Sequence, residues 1–168
     1  DGRFSAAPDI SKIRFTQLGY GVYLPRAIPQ RNASSYDGLY IMDLKHGHQR
    51  RIVTFRDLAL HAGIPPSTPM YGFHTKWSSD NSLIMFVVRT LSDSADGSDK
   101  RVRSNHLFVV TKHGDILCRV VSWSSFLSTK SSLGKLANQL RDGNHPNWIT
   151  GTHNISVNYA GHDGIWRV

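Results

Sequence analysis

Two histidines head the same short motif. His74-Thr75-Lys76-Trp77 and His145-Pro146-Asn147-Trp148 lie 71 residues apart, and Ile84 and Ile155 keep that spacing without a gap. Imidazole holds ligands and metal ions, so a repeat that aims two of them into one funnel can build a binding site. The competing reading is structural: the same histidine can pack where two units meet and bond backbone there. Other chemistries are excluded more firmly. All 12 acids are Asp and few of them cluster, which argues against the two opposed carboxylates of a glycosidase. Neither a Gly-x-Ser-x-Gly elbow, a phosphate-binding glycine loop nor zinc-finger spacing occurs.

The elements that must position these residues are strands. The 168 residues include no Glu, while Gly, Ser, Asn, Asp and His are plentiful, so strong helix formers are scarce and turns frequent. That composition predicts an all-β chain. No apolar run approaches the ~20 residues of a membrane span. The single cysteine, Cys118, lies in the apolar run 116–121 and is expected to be a small buried hydrophobe. Residue 1 is Asp and no leader is recognisable, so a processed chain or a fragment is expected.

A second motif follows each first one. Gly38-Leu39-Tyr40-Ile41-Met42 with Lys45-His46-Gly47 matches His106-Leu107-Phe108-Val109-Val110 with Lys112-His113-Gly114. Each His-Gly turn leads into a last apolar-rich strand, 51–55 or 116–121. Asp163-Gly164-Ile165-Trp166 begins a third copy. The unit is four short antiparallel strands in fixed order, which is the pattern of a β-propeller blade. The reading is therefore a β-propeller fragment, all-β, of about two and a half four-stranded antiparallel blades. Blade 1 spans about 10–56, blade 2 about 73–122 and the incomplete blade 3 about 145–168. Long connections run through 56–73, 91–105 and 122–144. Residues 128–140 have room for a short helix begun at Ser128 or Thr129, and Gly63-Ile64-Pro65-Pro66 is a helix-stopping loop. A ring needs at least ~4 blades to close, so the remaining blades are expected to lie outside this chain.

The stretch His74-Thr75-Lys76-Trp77-Ser78-Ser79-Asp80-Asn81-Ser82-Leu83-Ile84-Met85-Phe86 resembles the His-x-x-Trp/Phe-Ser-Pro-Asp-Gly-x-x-Ile-x-Phe segment of six-bladed TolB-like propellers. Residues 37–44 with Lys45-His46-Gly47 are similar to their Gly-Ile/Leu-Tyr-Val-Met-Asp-Leu-x-x-Gly segment. Ile64-Pro65-Pro66, Phe73-His74 and Phe86-Val87-Val88-Arg89 look most like the oligogalacturonate lyase-like group. The resemblance covers most of residues 10–168. It departs at the turn, where Ser79 and Asn81 replace the usual Pro and Gly, and Thr150-Gly151-Thr152 stands there in the third copy.

The resemblance implies a ligand site at the mouth of the central channel, with His74, Asn144 and His145 in it. The lyases of that group hold a channel-mouth metal with several His and an amide, which would make His74, His145 and His153 metal ligands and a divalent ion such as Mn the cofactor. Imidazole suits Mn, Fe or Zn, and two or three protein ligands leave positions for a substrate carboxylate. His145 and His153 fall at opposite ends of one strand-turn unit, which opposes a shared ion. Uronate β-elimination also needs a cation to steady the anion formed, and Arg89 matches the group's strand-end Arg; a solvated rim Arg is the alternative. The function classes are thus a module binding an acidic saccharide or peptide, a metal-assisted uronate lyase, and a protein-interaction scaffold. The formal charge of +8 fits an acidic partner. It is spread out and accompanied by no nucleic-acid-reading motif, which argues against nucleic acid. By resemblance the compartment is periplasmic or extracellular.

Overall fold

The computed structural model describes residues 2–17, 19–93, 101–127, 144–160 and 166–167. Strand makes up 47% and helix 11%, in antiparallel sheets, so the all-β expectation holds. Among the described residues three sheets follow one another. The first is β1 (Phe4–Ala7), β2 (Gly38–Asp43) and β3 (His48–Thr54), in that order. The central sheet is a four-stranded meander of β4 (Met70–Trp77), β5 (Leu83–Asp93), β6 (Arg101–Thr111) and β7 (Ile116–Leu127). The third holds β8 (Asn144–Trp148), β9 (Ile155–Ala160) and the short β10 (Trp166–Arg167).

Sheet boundaries differ from the sequence reading in informative ways. The first sheet opens at Phe4, ahead of residue 10, because Phe4–Ala7 pairs with Tyr40 to Asp43 across a long intervening segment. Residues 91–105 were expected to be mostly connection. Instead β5 continues to Asp93 and β6 begins at Arg101, with Leu91 opposite Arg103 and Asp93 opposite Arg101. Polar and charged side chains there hide a ladder that backbone bonding sustains. The expected short helix at 128–140 lies outside the described residues.

A helix stands where only a connection was read. Thr54 caps α1 (Phe55–His61): its hydroxyl accepts from the Asp57 N–H, and Asp57 accepts from the Thr54 N–H. This reciprocal pair satisfies two of the donors that a helix start leaves open. Phe55, Leu58 and Ala59 point inward, and Gly63, at φ +66°, ends the run as its sequence context suggested.

The central sheet is covered on both faces. Ile84, Phe86 and Val88 of β5 pack with Leu39, Phe55 and Phe108 in one core. Met85 and Val87 face the other way and join Phe73, Leu107, Ile13 and the third sheet's Trp148, Ile155 and Val157. A strand alternates its side chains between faces, so a run that is apolar at every position serves two cores. The last strand of this sheet is an edge. Cys118 is exposed there, contrary to the buried role expected of it, because β7 is left open on both faces at this point, with Leu117, Arg119 and Val120 exposed as well.

Candidate functional site

The residues singled out by the repeat lie on β4 and β8, the leading strands of the second and third sheets. Both strands are irregular at their histidine. In β4 the pairing jumps between Gly72 and His74, so Phe73 is an extra residue opposite β5. In β8 it jumps between Asn144 and Asn147, and His145 takes a left-handed conformation at φ 62°. A bulge of this kind re-aims the neighbouring side chain. Pro8 fixes the first bulge in place: a Cβ on Gly72 would lie 2.2 Å from its Cβ, so only glycine fits.

The bulges bring His74 and His145 together, with ring centres 6.3 Å apart. The His74 ring also stands steeply tilted against that of Phe73, with ring centres 3.9 Å apart. Beneath them Arg89 is buried, its guanidinium 3.3 Å from the centre of the Phe73 ring. Its Nε donates to Asn105 Oδ1 at 3.0 Å and Nη1 to Gln17 Oε1 at 2.6 Å. A solvated rim arginine is therefore excluded.

Lys76 completes the cluster from the next position on the same side of β4. Its Nζ donates to the Pro146 carbonyl at 2.9 Å and to Asn147 Oδ1 at 3.1 Å, while Trp148 Nε1 returns a bond to the Lys76 carbonyl at 2.9 Å. The two histidine strands are thus stitched by side chains of the repeated motif itself.

The electrostatics of this pair follow from its neighbours. His74 is half-buried, and its pKa is pushed down to about 4, first by loss of solvent and then by Arg89, His145 and Lys76. Every charge that bears on it is positive. At neutral pH its ring is uncharged and has a lone pair to offer a ligand, while the surrounding potential favours an anion.

The other donors lie elsewhere. His153 sits at the far end of β8, its Nε2 3.0 Å from Asp80 Oδ2, over a cavity of about 400 Å³ shared with Ser79, Gly151 and Thr152. Asn144 pairs with Asn158 at the start of β8, and its side chain lies outside what is described. Among the described residues no three His, Cys or Asp side chains converge on a point that could hold a metal ion. Sequence reasoning passed over Lys76, Asn105 and Gln17. Lys76 carried a signal, since it stands inside the repeated motif opposite Asn147; Gln17, far away in sequence, carried none.

No family of proteins, curated protein or solved structure matches the chain.

Proposed function

We propose that the chain is part of a six-bladed TolB-like β-propeller that binds an anionic ligand, an acidic saccharide or peptide, at the channel mouth formed by His74 and His145. The observation that carries this reading is that the permanent charges acting on His74, those of Arg89 and Lys76, are both positive. A neutral imidazole can meet a carboxylate through its ring N–H, while the charges of Lys76 and Arg89 supply the attraction. The order of strands supports the propeller: a four-stranded meander is flanked by three-stranded sheets, and leading strands β4 and β8 lie side by side.

Calorimetric titration with oligogalacturonate and with an acidic peptide tests the reading. Binding of one of them should weaken about tenfold in Lys76→Ala and again in His145→Ala, as a charge-assisted bond contributes about 1.5–3 kcal/mol. No binding of either probe by the natural protein refutes it. The adjacency of an uncharged His74 to His145 supports a second reading, a uronate lyase assisted by a divalent ion, with Arg89 steadying the anion. Ultraviolet absorbance of an unsaturated product, lost on adding chelator, would establish that alternative. Unchanged metal content in His74→Ala with His145→Ala would end it.

A further inference from the structure

The segment after the 3-10 helix Ile10–Phe15 presents an apolar surface to solvent. Tyr23 and Ile28 are each 73% exposed, Leu24 is 50% and Val22 48% exposed, while Tyr20 leans on Phe73 with ring centres 5.9 Å apart. Soluble surfaces scatter such side chains singly, and a contiguous group of them marks an interaction site. No acid occurs between Asp9 and Asp37, whereas Lys12, Arg14, Arg26 and Arg31 fall in that interval. Lys12 is engaged with Asp37 at 2.6 Å; Arg26 and Arg31 are exposed.

This surface is built rather than slack. The Ala27 N–H donates to the Leu24 carbonyl at 3.1 Å, closing a turn with Pro25 and Arg26 at its tip. Val22 N–H donates to the Ile10 carbonyl at 3.3 Å, and Gly21 passes so close that a Cβ would lie 2.3 Å from that oxygen. The Arg14 guanidinium lies 4.8 Å from the centre of the Tyr23 ring and donates to the Ala27 carbonyl at 3.3 Å. The exposed apolar side chains are therefore held outward by bonds made at their backs.

We propose that residues 20–31 form an anchor for an anionic lipid surface. Tyr23, Leu24 and Ile28 enter the boundary between headgroups and acyl chains, and Arg26 and Arg31 meet lipid phosphates. Protruding apolar tips suit a fluid phase that closes around them, and tyrosine places an apolar ring and a polar hydroxyl at that depth. The interval carries no carboxylate of its own, although Asp93 lines the same cavity as Arg31, and a negative surface attracts each nearby basic residue by a roughly fivefold gain in binding.

Co-sedimentation of the natural full-length protein with phosphatidylcholine vesicles, with and without phosphatidylserine, tests the anchor. Binding should require phosphatidylserine, weaken with salt, fall about tenfold or more in Arg26→Ala with Arg31→Ala, and vanish in Tyr23→Ser, Leu24→Ser, Ile28→Ser at unchanged Tm. Nitration of Tyr23, read by mass spectrometry, should drop when vesicles are added. Protein that stays in the supernatant with both vesicles overturns the proposal, as does a triple variant that binds like the natural protein. Tyr23 already protected without vesicles shows that another part of the protein covers it, and a dimer abolished by the triple variant shows that a second copy does; either result also overturns it.

Discussion

At the residue scale, the charge state of His74 is set first by loss of solvent and then by charges of which the largest, Arg89, lies outside its own motif. Arg89 lies 15 positions along the chain and reaches the site only because β5 doubles back beside β4. Replacing Arg89 by Met keeps the stem under Phe73 and removes the charge. The titration midpoint of His74, followed by imidazole proton NMR, should then rise from about 4 toward its ordinary 6.5. A midpoint that stays put would show that loss of solvent alone depresses it. The candidate histidines were legible in sequence because a fixed spacing of 71 repeats them. The partners of Arg89 were not, since Gln17 and Asn105 meet it through long-range folding. Cys118 was misjudged for a related reason: an apolar run marks a strand and says nothing of whether its outer face is covered. Its exposed thiol should react with an aromatic disulfide reagent in the folded protein at a rate close to that in denaturant. Reaction only after unfolding would contradict the edge position of β7.

At the element scale, the bulge in β4 depends on a residue with no side chain. A Cβ on Gly72 would meet Pro8 at 2.2 Å and the Phe86 ring at 2.9 Å, and both neighbours are constrained. Gly72→Ala should therefore cost about 2 kcal/mol, read as a lower urea midpoint at constant slope, and should weaken any ligand held by His74. A neutral substitution would mean that Pro8 moves freely. Elements were readable to different degrees. The buried strand at 83–88 announced itself by its unbroken apolar run. The start of α1 also had a readable mark, Thr54 followed three places on by Asp57, but a helix of seven residues has too short a pattern to outweigh the surrounding turns. The far ends of β5 and β6 could not be read, because Thr90, Ser92, Arg101 and Ser104 look like loop while their backbones pair.

At the scale of the whole molecule, one buried and one half-buried histidine give stability a pH dependence. His106 is buried between Thr90, whose Oγ1 is 3.2 Å from its Nε2, and Phe108; its pKa is pushed down to about 4, first by loss of solvent and then by Arg119. His74 is displaced in the same direction. An unfolded histidine takes its proton near 6.5, so between that pH and about 4 the unfolded chain binds more protons than the folded one. Stability should be level above 6.5 and fall as pH drops through this window. The contribution of His106 is on the order of 3 kcal/mol. Urea midpoints measured at both ends of the window, in the natural protein and in His106→Gln, check this; the variant should lose much of the slope. That the chain forms antiparallel sheets was legible from its composition and its two repeated motifs. That the first sheet starts with Phe4–Ala7 was not, since those four residues carry no motif and gain their place only by pairing with β2.

The bonds between β4 and β8 are reciprocal: Lys76 grips the backbone of the third sheet, and Trp148 grips the carbonyl of Lys76. Two sheets held only by apolar contact can slide past one another by small steps, because oily surfaces have no preferred register. Here any slip breaks both bonds at once and strands a lysine and an indole among groups that no longer face them. The junction behaves as a detent with a single seat. It follows that the gap between His74 and His145 is a fixed dimension of the protein, and any ligand that bridged them would be selected by its span as well as by its charge.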